Sequence, residues 1–114
     1  MIPRCISIRV GGLDLPVVFV VGLESFGEFD ADSRVIRIRA GLDPPVAAST
    51  MLHELLHAID DAHGVRISEH ATRAIECGLV AALRHDPAGA RRWLDALLWS
   101  GTGFVNVSPY VSTT

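Results

Sequence analysis

The chain has 114 residues, a net charge of −3 at pH 7, 49% hydrophobic residues and 20% charged residues. This composition is typical of one compact soluble domain, and the scattered basic residues exclude a nucleic-acid-binding surface. The apolar run from Leu15 to Leu23 is much shorter than the roughly 20 residues of a membrane-spanning helix. Cys5 and Cys77 provide no disulfide framework, and the N-terminus has no signal-peptide pattern. We therefore expect a cytoplasmic protein without nucleic-acid or membrane partners.

The first third of the chain has the patterns of strands. Residues 5–10 (CISIRV) alternate, residues 11–12 are a Gly-Gly turn, and residues 15–21 (LPVVFVV) are a β-branched apolar run, so a hairpin is predicted. Residues 22–33 contain glycines and aspartates that predict a connecting loop. Residues 34–40 (RVIRIRA) alternate and predict a half-buried strand with one wet face, suited to the edge of a sheet.

Three helices are predicted after these strands. Asp43 and Pro44 begin the first, because aspartate can cap a helix and proline needs no N–H in its first turn. Gly64 ends it. Ser68 caps the second helix, and Asp86, followed by proline, begins the third.

Because the strands precede the helices, the sequence predicts an α+β fold. We expect a three-stranded antiparallel sheet followed by three helices. Residues 1–99 are predicted to form a single domain. Residues 100–114 (SGTGFVNVSPYVSTT) are rich in Gly, Ser and Thr and predict a flexible C-terminal tail.

The first helix contains the pattern H-E-x-x-H at residues 53–57 (HELLH). His53 and His57 lie one turn apart on one face, so both can bind one Zn²⁺ ion. Glu54 lies about 100° from His53 around the helix, which places it beside the metal as a general base for metal-bound water. The apolar residues at spacings of three and four predict a core face formed by Leu52, Leu55, Leu56, Ile59 and Ala62.

A third ligand has to come from elsewhere in the chain, and His63 is one candidate. It follows His57 by six residues, the spacing of the metzincin pattern. However, Asp60 stands where that pattern has a helix-breaking glycine. If the helix continues to Gly64, His63 points away from His57.

The second helix provides three further candidates, Glu69, Glu76 and His70. With Ile75 at the centre of the apolar face, the two glutamates lie on one side and His70 lies on the other. An antiparallel helix that begins at Ser68 regains the level of His57 near residues 74 to 76. We therefore predict Glu76 as the third ligand, with Glu69 as the alternative.

Taken together, the segments RVIRIRA, HELLHAID, the turn at Gly64 and SEHATRAIECGLVAALRHDP resemble small phage- and prophage-encoded zincin-like proteins. These proteins resemble the gluzincin metallopeptidases, including the ImmA/IrrE type. The resemblance covers roughly residues 15 to 87. It implies a minimal zincin-like domain, a zinc metallopeptidase acting on a peptide or protein substrate in a bacterial or phage-infected cell. It also implies His53 and His57 as ligands, Glu54 as the base, and Glu76 or Glu69 as the third ligand.

Several supporting roles remain open at this stage. Asp60 could accept a hydrogen bond from a ligand histidine, and the strand at residues 34–40 could pair with an extended peptide. The candidates for stabilising an oxyanion are Arg73, His70, His63 and Tyr110.

Two other functions remain open as alternatives to a peptidase. One is a non-catalytic regulatory or binding protein with a structural or relict zinc site. The other is a hydrolase of non-peptide amides that resembles deformylase, in which Cys77 would be a metal ligand.

Overall fold

The computed structural model describes residues 5–99, which form an α+β fold of four strands followed by three helices. The elements are β1 (Cys5–Val10), β2 (Leu13–Val20), β3 (Gly27–Asp30), β4 (Val35–Arg39), α1 (Pro44–His63), α2 (Glu69–His85) and α3 (Pro87–Leu97). The hairpin, the strand at residues 35–39 and all three helices confirm the predictions. Across the described residues, no helix is both long and apolar enough to cross a membrane.

The sheet is mixed and four-stranded, so the prediction of three antiparallel strands was wrong. Its order is β1-β2-β4-β3, with β2 and β4 parallel and the other two pairs antiparallel. The strand β3 lies in the segment that was predicted to be a loop. It is four residues long and flanked by turn residues, so an alternation of apolar and polar residues cannot be recognised in its sequence. Because β3 pairs with β4, β4 is an internal strand and not the predicted edge strand.

A side-chain turn connects β3 to β4. One carboxylate oxygen of Asp30 accepts hydrogen bonds from the backbone N–H groups of Asp32 and Ser33, at 3.0 and 3.2 Å. Arg34 then adopts the left-handed conformation with φ +56°. This geometry reverses the chain within four residues and places β4 beside β2.

One face of the sheet packs against α1 and forms the core. Ile36 and Ile38 are fully buried on this face, whereas Arg37 and Arg39 between and after them lie on the other face. Burying each such aliphatic side chain contributes about 1.5–3 kcal/mol. The buried apolar core comprises Val10, Leu15, Val17, Ile36, Ile38, Ala47 and Ala58.

The buried stripe of α1 differs from the predicted one. Leu55 and Ile59 do pack against the core, but Ala62 is exposed and Ala47 and Ala58 are buried. The helix approaches the sheet through small residues, and a Cβ on Gly27 would lie only 2.5 Å from the Thr50 methyl group. As a result, the face of α1 that contacts the sheet is centred on residues 47, 51, 54 and 58, at helical spacings of three and four, and not on the predicted apolar residues.

The helix ends largely follow the predicted signals. Asp43 is the N-cap residue of α1, although its side chain makes no capping hydrogen bond. Gly64 ends α1 with φ +63°, and its N–H donates to the carbonyl of Asp60. The Ser68 hydroxyl accepts a hydrogen bond from the Ala71 N–H at 3.0 Å, and Asp86 caps α3 in the same way through Gly89.

The chain divides into two compact units, Met1–Cys77 and Gly78–Thr114. The first contains the sheet, α1 and the first half of α2, and every ligand and base predicted for the zinc site lies in it. The remainder of α2 and the helix α3 belong to the second. The predicted C-terminal tail lies outside the described residues.

Candidate metal centre

The two histidines of α1 meet as the helical spacing predicts. His53 and His57 are one turn apart, and their Nε2 atoms are 3.2 Å from each other. Their ring centroids are 4.8 Å apart with an interplanar angle of 72°. Both side chains are largely buried, with 16% and 30% of their surfaces exposed. The Nε2 edges therefore converge on one point beside the helix.

A carboxylate from the first residue of α2 completes the convergence. The two oxygens of Glu69 lie 3.1 Å from His53 Nε2 and 3.1 Å from His57 Nε2. Tetrahedral bonds of about 2.0–2.1 Å to a zinc ion place neighbouring ligand atoms about 3.3 Å apart. The observed separations are close to this value, so His53, His57 and Glu69 could bind a metal ion. We call these three residues the candidate metal centre.

The chemistry of the three donors also suits a cation. An ionised carboxylate has no proton to donate, and a neutral imidazole has one N–H on only one of its two nitrogens. Wherever two of these atoms face each other without a proton between them, their electron pairs repel across about 3 Å. A proton or a metal ion between them removes that repulsion. Since the Glu69 side chain is 51% exposed, solvent reaches this point.

Glu76, the predicted third ligand, lies on the other side of the His53 ring. Its Oε1 is 2.9 Å from His53 Nδ1, and its Oε2 accepts a hydrogen bond from the Ser49 hydroxyl. Burial acts to raise the pKa of Glu76, but hydrogen bonds from Ser49 and His53 outweigh it and hold that pKa below its ordinary value. Glu69 thus lies beside the Nε2 atoms of both histidines, whereas Glu76 lies at the Nδ1 edge of the His53 ring.

The predicted base, Glu54, lies on the sheet-facing side of α1 and is 8% exposed. Burial raises the pKa of Glu54 above its ordinary value, and the neighbouring His53 and His57 oppose the rise. A carboxyl group in this environment holds a proton more readily than one in water. It is therefore a better proton acceptor than an exposed carboxylate.

A cleft of about 260 Å³ opens beside these groups. It is bordered by Gly27 of β3, by His53 and Glu54 of α1, and by Glu76 of α2. The residues that line it are Phe26, Gly27, Thr50, His53, Glu54, Arg73 and Glu76. Glu54 therefore borders this cleft although little of its surface is exposed.

The other sequence candidates lie apart from the candidate metal centre. The exposed His63 and His70 are not among the grouped metal-binding residues of the described chain. Cys77 is an exposed free thiol outside this group as well. Asp60 accepts a hydrogen bond from the backbone N–H of Arg66 and does not bond to either histidine.

Of the candidate oxyanion stabilisers, Arg73 lies in the cleft. Its Nε is 3.4 Å from Glu69, one turn earlier on α2, and its side chain is 71% exposed. Tyr110 lies outside the described residues.

The sequence interpretation missed two contributors to the site. Ser49 precedes His53 by four residues, so its position on the same face of α1 was readable from helical spacing. Gly27 was hidden in the segment predicted to be a loop. Nothing in its neighbourhood indicated that it would lie beside α1.

Comparisons of the chain with protein-family models, with curated proteins and with solved structures gave no match.

Proposed function

We propose that this protein is a zinc-dependent peptidase in which His53, His57 and Glu69 hold the metal and Glu54 is the general base. The observation that carries the proposal is the convergence of two imidazole nitrogens and the carboxylate of Glu69, with separations of 3.1–3.2 Å and with solvent access. Catalytic zinc sites use three protein ligands and keep one position open, whereas structural sites are closed by four. Two imidazoles and one carboxylate are a common catalytic set.

The carboxylate Glu69 replaces Glu76 as the proposed third ligand. Its oxygens lie at the paired Nε2 atoms, while both oxygens of Glu76 have other hydrogen-bond partners. Zinc is proposed over calcium or magnesium because hard cations take oxygen ligands, whereas imidazole nitrogen suits zinc. A bound zinc ion lowers the pKa of its water ligand and polarises a carbonyl oxygen.

The chain's own residues account for the remaining chemistry. Glu54 accepts a proton from water at the cleft and transfers it to the amine of the departing peptide fragment. Burial of Glu54 favours its protonated form, which makes the second transfer easier. The cleft between β3 and α1 admits the substrate, a peptide or an exposed protein segment, alongside Glu54.

The test is hydrolysis of a mixed peptide library by the metal-loaded protein, read by mass spectrometry. We expect the wild type to cleave peptides only with zinc present. Glu54→Gln should bind the same amount of zinc and lose about 10²–10⁴-fold in rate, the usual contribution of a general base. Glu24→Gln, which removes an exposed carboxylate outside the cleft, is the control and should stay active.

Two results would contradict the proposal. If the wild type binds zinc but cleaves nothing, the site belongs to a regulatory or binding protein. If Glu54→Gln cleaves as fast as the wild type, the chemistry does not use Glu54.

A further inference from the structure

Carboxylates from α2 contact His53 at both of its ring nitrogens. Glu69 lies 3.1 Å from Nε2, and Glu76 lies 2.9 Å from Nδ1. The two nitrogens are on different edges of the imidazole ring, so the two carboxylates contact His53 from different sides. A metal ion at Nε2 leaves Nδ1 free for a hydrogen bond.

Glu76 is itself held by a second contact. Its other oxygen accepts a hydrogen bond from the hydroxyl of Ser49, which lies one turn before His53 on α1. The Glu76 side chain is 19% exposed, compared with 51% for Glu69. With both oxygens bonded and most of its surface covered, Glu76 has a fixed position between Ser49 and His53.

We propose that Glu76 is a positioning residue that acts through His53 and that Ser49 holds Glu76 in place. Both carboxylates can accept a hydrogen bond from the ring, but Glu76 is the closer and more buried of the two, so the Nδ1 atom of His53 carries the proton. The Nε2 atom then keeps its electron pair on the side of His57 and Glu69. The pair of Ser49 and Glu76 selects the tautomer and the ring orientation that the candidate metal centre needs.

The consequence for metal binding rests on the proposed function. Partners of a ligand histidine that lie outside the ligand set typically change metal affinity by about 10–100-fold. The consequence for the tautomer does not rest on it, because the contacts among Ser49, Glu76 and His53 involve no metal. The two consequences can therefore be measured separately.

The first measurement is ¹⁵N–¹H NMR of the histidine rings in the metal-free protein at about pH 9, well above the ordinary histidine pKa of about 6.5. We expect His53 to carry its proton on Nδ1. Glu76→Leu should abolish that preference. Glu76→Gln should retain it, since the amide oxygen still accepts a hydrogen bond. Glu24→Gln, an exposed glutamate outside the cleft, is the charge-matched control and should change nothing.

The second measurement is zinc affinity by competition with a coloured chelator. We expect Glu76→Leu to raise the Kd by about 10–100-fold. Glu76→Gln and Ser49→Ala should raise it less. With Co²⁺ in place of Zn²⁺, the visible spectrum of Glu76→Leu should keep the wild-type shape because the ligand atoms are unchanged. Glu69→Gln should alter that shape.

Three results would overturn the positioning role. One is a wild-type His53 protonated on Nε2, and another is an unchanged tautomer in Glu76→Leu. The third is a Co²⁺ spectrum that changes as much in Glu76→Leu as in Glu69→Gln, which would make Glu76 a ligand. If Glu76→Leu does not fold, Ser49→Ala and Glu76→Gln supply the affinity comparison, and wild-type affinity in both contradicts the role. If the wild type binds no metal, the proposed function fails, while the NMR result still decides the tautomer.

Discussion

Within residues 5–99, two clusters of ionisable side chains can be compared, and they differ in how their charges are balanced. On the outer face of the sheet, Arg37 donates to Glu28 at 2.7 Å and to Asp30 at 3.3 Å. The pKa of Arg37 is raised, mainly by its hydrogen bond to Glu28 and next by the one to Asp30. The pKa of Asp30 is lowered, mainly by the hydrogen bond that it accepts from the backbone N–H of Ser33. These three residues, the sheet-face cluster, contain donors for their acceptors and need no further ion.

The charges of the candidate metal centre on α1 and α2 are balanced differently. Glu69 faces two imidazole nitrogens, and the cation that reaches it is Arg73, at 3.4 Å and largely in solvent. Exposed ion pairs of this kind contribute little. Beside it, the buried Glu54 has a raised pKa. The comparison shows that crowding of charged residues does not by itself indicate a ligand site. At the candidate metal centre, by contrast, two imidazole nitrogens and a carboxylate converge in a group that could hold a metal ion.

The largest expected difference between the two clusters is their response to zinc. A ligand at 100 times its Kd stabilises the folded state by about 2.7 kcal/mol, and 1 kcal/mol shifts the Tm of a domain of this size by about 4–8 °C. We therefore expect zinc to raise the Tm of the wild type by about 10–20 °C. Glu69→Gln should lose most of this shift because it removes a ligand.

Glu28→Gln is the matched control for that experiment, since it removes a carboxylate from the sheet-face cluster and leaves the ligands intact. It should lower the starting Tm slightly and keep the zinc shift. Calorimetry of the three proteins with and without zinc provides the measurement. Equal shifts in Glu69→Gln and the wild type would show that the ion binds elsewhere.

Local sequence patterns predicted much of the fold. The helix boundaries follow from Pro44, Gly64, Ser68 and Asp86, because capping chemistry acts over a few residues. The strand β3 was missed because its pairing with β4 is a tertiary contact that four residues cannot encode by alternation. The same omission led to the wrong placement of β4 at the sheet edge.

The site was predictable where one helix determines it and not where two helices meet. His53 and His57 converge because four residues make about one turn. The level of Glu69 depends on residues 65–68, which are not helical, and on Arg66 with φ +62°. An extended residue advances about 3.3 Å, compared with 1.5 Å in a helix, so this short link already returns the chain to the level of His57. The preference for Glu76 over Glu69 assumed that α2 itself covered that height, whereas both carboxylates contact His53.

The face of α2 that meets α1 was also misjudged. Thr72 is fully buried, whereas Ile75, the predicted centre of the apolar face, is 43% exposed. Glu69 and Glu76 lie on either side of Thr72 along the helix, so both point toward α1. Because the most buried residue of this face is a threonine, hydrophobicity alone does not predict which face of α2 is buried.

An intermediate effect is expected at β3, which carries part of the sheet-face cluster and also packs against α1. Gly27 faces α1, while Glu28 and Asp30 belong to the sheet-face cluster. A Cβ at Gly27 would lie 2.5 Å from the Thr50 methyl carbon and 3.2 Å from the Arg37 carbonyl oxygen. Gly27→Ala should therefore cost about 1–3 kcal/mol, typical of overpacking. Denaturant unfolding measures this cost.

Two further variants sharpen the result at β3. Thr50→Ser removes the clashing methyl group, so the double variant with Gly27→Ala should recover part of the lost stability. Gly78→Ala, in α2 where a new Cβ meets nothing within 4 Å, should gain about 0.5–1 kcal/mol from helix propensity. If Gly27→Ala is as well tolerated as Gly78→Ala, β3 and α1 are not in close contact.

The smallest expected effect concerns the pH dependence of the sheet-face cluster. The pKa of Asp30 is lowered from 3.8 in the folded protein, chiefly by the backbone N–H of Ser33. A lowered folded-state pKa means that Asp30 stabilises the fold at pH values above 3.8 and that this contribution is lost as the pH falls through the lower folded value. Asp30→Asn should therefore reduce the Tm slightly at pH 7 and flatten its decline below about pH 4. Scanning calorimetry of both proteins between about pH 7 and pH 2, without zinc, tests this.

The neighbouring Asp32 provides the control for this charge effect. Its backbone N–H donates to Asp30, whereas its own carboxylate takes no part in that hydrogen bond. Asp32→Asn therefore leaves the acceptor and both backbone donors of the turn in place, and its Tm should follow the wild-type curve across the pH range. Parallel curves for Asp30→Asn and the wild type would instead show that the turn does not depend on the charge of Asp30, because an amide oxygen would then accept the same hydrogen bonds equally well.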